Sequence, residues 1–216
     1  MSLILHYHPL ASFCWKVLIA LYENDIPFEP KLVDLGDAQS RAAFAALWPM
    51  AKMPVLEDEA RGAVVPETSI IIDYLDLHNP GPVRFVPEEA ERARETRLWD
   101  RIFDCYVQAP MQRIVADRIR PDGQRDAFGV AEARTQLATA LGMIERELAG
   151  RPWVTGEAFG LADCAAAPAL FYADKVMPLA GTYPLALALL ERLKARPSFA
   201  RVLDEARPWF KYFPAE

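Results

Sequence analysis

The chain has 216 residues, 52% of them hydrophobic, a formal net charge of −6 and a pI of about 5.2. That is enough apolar content for one large or two small cores, and the acidic balance argues against a nucleic-acid-binding face, which needs basic charge. No run of about 18 apolar residues occurs, so no membrane-spanning helix is expected. The start of the chain lacks the basic stretch and long apolar core of a signal peptide. Three widely spaced cysteines, Cys14, Cys105 and Cys164, do not make a disulfide framework and suit a reducing compartment, so a cytoplasmic location is expected.

In chain order, residues 3–7 read as a strand. A helix follows over 12–24, with Trp15, Leu18, Ile19 and Tyr22 spaced three or four apart and Pro27 as a stop. Phe28 to Val33 reads as a second strand and the alanine-rich stretch Ala38 to Leu47 as a helix. Pro54-Val55-Leu56 and Ala63-Val64-Val65, joined through a turn at Gly62, read as a hairpin. A helix then covers Glu67 to His78. This βαβα-ββα order is thioredoxin-like. Residues 79–87, with three prolines and a glycine, are the best linker. Beyond them only helical periodicity remains. Leu98, Ile102, Cys105 and Tyr106 mark one long helix. Val130, Ala133, Leu137, Leu141, Ile144 and Leu148 mark another, ended by Gly150, and further helices are expected near 161–179, 185–195 and 198–206. The fold expected is an α/β thioredoxin-like domain over 1–79, a linker over 80–87 and an all-α helical domain over 88–216.

Four stretches carry a family resemblance: Ser12-Phe13-Cys14-Trp15-Lys16-Val17-Leu18-Ile19-Ala20-Leu21, Lys52-Met53-Pro54-Val55-Leu56, Glu67-Thr68-Ser69-Ile70-Ile71-Ile72-Asp73-Tyr74-Leu75, and Gly160-Leu161-Ala162-Asp163. In this order the chain resembles the cytosolic glutathione transferases over its whole length, nearest to the serine- and cysteine-type classes (zeta, tau and beta-like). The resemblance implies glutathione as co-substrate, thiolate attack on an electrophilic and partly apolar small molecule, and a homodimer with Arg92, Arg94, Arg97 and Arg101 as candidates for its polar contacts. It also implies no nucleic-acid or membrane partner. A non-catalytic ligand- or protein-binding module is the alternative, and within the enzymes an isomerase of the maleylacetoacetate type.

Glutathione has two carboxylates, an ammonium and a thiol. Glu67-Thr68 opens a helix, where unpaired N–H groups and the positive dipole end favour a carboxylate. Thr68 can add a hydroxyl, and Glu67 can meet the ammonium. By resemblance Pro54 is cis and turns the Met53 backbone outward, so that the ligand pairs like an added strand. Lys52 can reach the glycyl carboxylate. For the thiol, the resemblance puts Ala11 at the usual activating position. Ser12, one residue later, is the first candidate, with Tyr7 and Cys14 as alternatives. His6 and His8 lack a third ligand cluster, so no metal is expected.

By resemblance the electrophile sits beside Leu10, Tyr106, Arg113 and Trp209. The aromatic end Pro208 to Phe213 either closes over that site or packs against the helical domain. Asp163 is expected to cap a helix, with Gly160 standing where the family has Ser or Thr.

Overall fold

The computed structural model describes residues 3–214; positions 1, 2, 215 and 216, which the expected domain bounds include, lie outside the described residues. The N-terminal part contains β1 (Leu3–Tyr7), α1 (Ser12–Glu23), β2 (Glu29–Leu32), α2 (Ala38–Leu47), β3 (Val55–Asp58), β4 (Ala63–Pro66) and α3 (Thr68–His78). The strands form one sheet in the order β2-β1-β3-β4, with β1 and β2 parallel and the pairs β1/β3 and β3/β4 antiparallel. This is the thioredoxin-like arrangement. β2, with Pro30 and exposed side chains, is an edge, where a missing ladder donor costs least.

The rest is helical: α4 (Ala90–Ile102), a π-helical turn (Phe103–Gln108), α5 (Ala109–Arg118), α6 (Ala127–Glu147), α7 (Leu161–Val176), α8 (Pro184–Lys194), α9 (Pro197–Ala206) and a 3-10 turn (Arg207–Tyr212). α1 lies between the two halves and is buried from Cys14 to Leu21, including Lys16. It packs against α3 on one side and α7 and α9 on the other.

The linker is clamped. Asn24 brackets Val83 through two bonds of 2.8 and 2.9 Å. The Asp76 carboxylate accepts the N–H groups of Phe85 and Val86, and the Phe85 carbonyl accepts from Leu161. A Cβ on Gly160 would lie 2.8 Å from that carbonyl, which explains why a serine or threonine does not stand there. Asp163 still closes one half of the cap: its carboxylate accepts from Gly160 N at 3.0 Å and Val154 N at 2.9 Å.

The α6 stripe read from sequence is buried at Ala133, Leu137, Leu141, Ile144 and Leu148. The stripe expected before it is displaced. Leu98, Cys105 and Tyr106 are exposed, and the core side of that segment is Trp99, Phe103, Val107 and Met111. Charged Asp100 and Asp104 share the buried side, which disguises it in the sequence, and the π turn rotates everything after Ile102.

Candidate functional site

Two helix starts and one strand start converge. Before β3, the Met53–Pro54 peptide is cis, and no bond joins the Met53 N–H or C=O to another backbone group among the described residues. At the start of α3, Glu67 holds φ 69° and ψ 120°. For a non-glycine residue that conformation costs on the order of 1–3 kcal/mol and persists only where its surroundings impose it. No side chain caps this helix, so its first N–H groups stay available to a ligand.

These segments line one cavity of about 320 Å³, with Phe13, Lys52, Met53, Pro54, Glu67 and Thr68 from the N-terminal domain and Arg101, Asp104, Cys105 and Ala109 from the helical domain. Its charges are mixed: Lys52 and Arg101 against Glu67 and Asp104. Such a hollow matches a zwitterionic peptide better than a plain anion. Five of the six expected glutathione contacts therefore share one cavity, and Ser12 stands apart.

Arg101 and Asp104 join the cavity wall to a buried charge cluster. Lys16, fully buried on α1, pairs with Asp100 and with Asp104 at 2.8 Å and donates to Ser69 Oγ at 3.0 Å. Ser69 donates to Asp100 at 2.7 Å, and Arg101 bonds Asp100, Asp104 and Ser69. Burial raises the Asp104 carboxyl, and the Lys16 charge opposes the shift. The cluster ties the start of α3 to α1 and α4.

Ser12 is 5% exposed, and its Oγ accepts from Gln108 Nε2 and, at 3.4 Å, from Gln112 Nε2. Ala11, before it, offers no side-chain cap. Neither alternative lines the cavity. Burial pushes the Cys14 thiol up to about 12, a packed and unreactive state, and burial also raises the Tyr7 phenol.

The four expected electrophile contacts fall in different places. Leu10 and Trp209 stand near each other through His8: Leu10 N donates to His8 Nδ1, and the His8 ring meets Trp209 edge-on at 5.2 Å. Tyr106 lines a separate apolar hollow between α4 and α6, with Ile102, Ala140 and Met143. Arg113 pairs with Asp126 and Glu132, each at 3.7 Å. The C-terminal aromatics pack down: Phe210 and Phe213 stack with Tyr172, and Phe210 meets Trp15 and Phe171. His6 is bonded to Glu57 at 3.1 Å, and among the described residues no three His, Cys, Asp or Glu side chains group to hold a metal.

Sequence reading did not place Phe13, Asp104, Cys105 or Ala109 at a site, and it offered Arg101 for a dimer contact, whereas Arg101 lines the cavity and bonds Asp100, Asp104 and Ser69. The triplet Asp100-Arg101 with Asp104, two acids flanking a base in one turn beside buried aromatics, was the available signal.

A thioredoxin-like domain carrying a mixed-charge cavity at its cis-proline edge, backed by a helical domain, defines a class of small-molecule-binding proteins. Residues 5–83 match the glutathione S-transferase N-terminal domain and residues 127–210 the glutathione S-transferase C-terminal domain. The chain belongs to the cytosolic glutathione transferase superfamily. It is 30% identical to FtsZ-localized protein A of Caulobacter vibrioides, over 94% of this chain and 92% of that protein. It is 26% identical to a glutathione S-transferase of Pseudomonas putida, over 93% and 91%. A glutathione S-transferase of Methylobacterium radiotolerans in complex with glutathione sulfonate superposes with a TM-score of 0.83 at 28% identity, covering 94% of each chain.

Proposed function

We propose that the cavity binds glutathione and that the protein presents its thiolate to a small electrophile. The observation that carries this reading is the convergence of Lys52, Met53, cis-Pro54, Glu67 and Thr68 on one mixed-charge hollow. Thr68 and the first N–H groups of α3 take the γ-glutamyl carboxylate. Glu67 takes the ammonium, the Met53 backbone pairs with the cysteinyl unit, and Lys52 meets the glycyl carboxylate. The sulfur then falls toward the start of α1, where the helix dipole and the Ser12 hydroxyl favour the thiolate. Addition, halide displacement and cis–trans isomerisation of a maleyl-type acid all begin from that thiolate.

Calorimetric titration of glutathione tests the reading. Binding in the wild type that collapses in Pro54→Ala and weakens about tenfold in Thr68→Val supports it; no binding at millimolar glutathione removes it.

A second reading, a non-catalytic module that binds a ligand or a protein, is favoured by one observation: Ala11 supplies no hydroxyl, and Ser12 is held by two glutamines. The relative whose name places it with FtsZ fits that reading too. Glutathione binding without turnover of any electrophile would select it. Under either reading a cytoplasmic homodimer is expected. The face of α3 and α4 that exposes Ile70, Leu77 and Leu98 beside the Asp73–Arg97 pair is its natural surface.

A further inference from the structure

The wall that the helical domain gives the cavity is one short stretch of chain, and it carries a thiol. Arg101 Nη2 donates to Ser69 Oγ, on the second residue of α3, and Gln108 holds Ser12 Oγ, on the first residue of α1. Residues 101–108 therefore run from one helix start to the other. The π turn over Phe103–Gln108 inserts an extra residue, so its side chains leave the ordinary helical register. Between the two tethers Cys105 is exposed and lines the cavity, together with Met53 and cis-Pro54. Cys14 and Cys164 are fully buried, so Cys105 is the thiol that a solute can reach.

That thiol has company that points to a ligand. Arg101 binds Asp100, Asp104 and Ser69 through Nε and Nη2, and its two Nη1 donors have no protein partner among the described residues. Its side chain is half exposed, lines the cavity and lies within electrostatic range of the Cys105 sulfur. The Met53 backbone and the uncapped start of α3 add further open donors to the same hollow. Unfilled donors from three segments around one reachable thiol fit an anionic, peptide-like ligand with a sulfur that can react.

We propose that Cys105 is a nucleophile toward glutathione disulfides, with the cavity reading the glutathionyl half of the disulfide. The proposal rests on the glutathione reading of this cavity. The Cys105 thiol gives its proton to water, and the thiolate attacks the glutathionyl sulfur of G–S–S–R. The S–S bond breaks, the Cys105–glutathione disulfide forms, and RS⁻ leaves and takes up a proton. A free glutathione thiolate then attacks the glutathionyl sulfur of the adduct. Glutathione disulfide departs, and the Cys105 thiolate recovers its proton. The sum is one mixed disulfide and one glutathione giving one thiol and one glutathione disulfide, so a single protein thiol suffices.

The test treats the reduced full chain with glutathione disulfide and follows the adduct by intact mass and peptide mapping. A second assay measures glutathione-dependent reduction of the mixed disulfide of glutathione and β-mercaptoethanol. Expected is one glutathionyl group per chain, mapped to Cys105, formed at a rate that saturates with glutathione disulfide and removed by added glutathione. At low disulfide Thr68→Val should form the adduct about tenfold more slowly, in step with its loss of affinity. Hydroxyethyl disulfide, which lacks the glutathionyl groups, should modify the wild type and Thr68→Val at equal rates. Cys105→Ser should lose adduct and turnover and still bind glutathione in calorimetry; peptide mapping of the wild type reads the site without any variant. Adduct formation that stays linear in disulfide and ignores Thr68→Val overturns the proposal, leaving Cys105 as an exposed thiol only. So does turnover that survives Cys105→Ser, or a wild type that binds glutathione and forms no adduct. A wild type that binds no glutathione removes the parent reading as well, which distinguishes the two failures.

Discussion

The helix starts of α3 and α1 flank one cavity and are built in opposite ways. At α3 the backbone is bent to φ 69° at Glu67, no side chain caps the helix, and Glu67 and Thr68 face the hollow. At α1 the backbone is ordinary, Ala11 has nothing to offer, and the polar side chain of Ser12 is turned inward onto Gln108. The α3 start thus offers its residues to the cavity, while the α1 start keeps its hydroxyl in a buried contact with the helical domain. Both starts lean on the helical domain, α3 through the Ser69–Asp100 bond and α1 through Ser12–Gln108, yet only the first leaves its opening residues facing the cavity.

The largest way to break the comparison is to cut the link between the two starts. Lys16→Met leaves the buried Asp100 and Asp104 with Arg101 as their remaining paired cation among the described residues. Removing one partner of a buried pair typically costs about 3–5 kcal/mol, so urea denaturation should show a loss of that order. A loss below about 1 kcal/mol, the range of exposed pairs, would mean that the cluster is effectively solvated.

A third helix start, that of α7, serves as the closed control. Asp163 is fully buried, and burial pushes its carboxyl up to about 7 against two backbone N–H bonds. An unfolded aspartate titrates near ~3.9, so between these values the folded state holds the extra proton. Stability from this group is full below the lower value and falls as pH rises through the upper one, with a slope of at most about 1.4 kcal/mol per pH unit. Urea midpoints measured across that window should decline in the wild type and flatten in Asp163→Asn.

Thr68→Val tests the open start directly. Loss of one hydroxyl donor to a carboxylate should weaken glutathione binding about tenfold, near 1.4 kcal/mol, with the thermal midpoint of the free protein unchanged in calorimetry. Smallest is the response to Glu67→Gly. Relief of the positive φ should stabilise the fold by about 1 kcal/mol while glutathione affinity falls. A variant that gains stability and keeps its affinity would show that the Glu67 carboxylate takes no part in binding.

Much of this was legible in the sequence, because it is local. The β-strand and helix order, the Pro54 strand start, the Glu67-Thr68 opening and the α6 stripe each depend on residues within a few positions of one another, where spacing and cap chemistry report structure directly. The stripe Leu98-Ile102-Cys105-Tyr106 misled because the true core side carries Asp100 and Asp104, and charge ordinarily marks solvent. Only the tertiary structure brought Lys16 to those acids, set Tyr106 in an apolar hollow with Ile102 and Met143, paired Arg113 with Asp126 and Glu132, and folded Phe210 and Phe213 onto Trp15 and Tyr172. The same holds for Ser12 and Gln108, 96 positions apart. Contacts between segments so far apart are set by packing, and no local pattern encodes them.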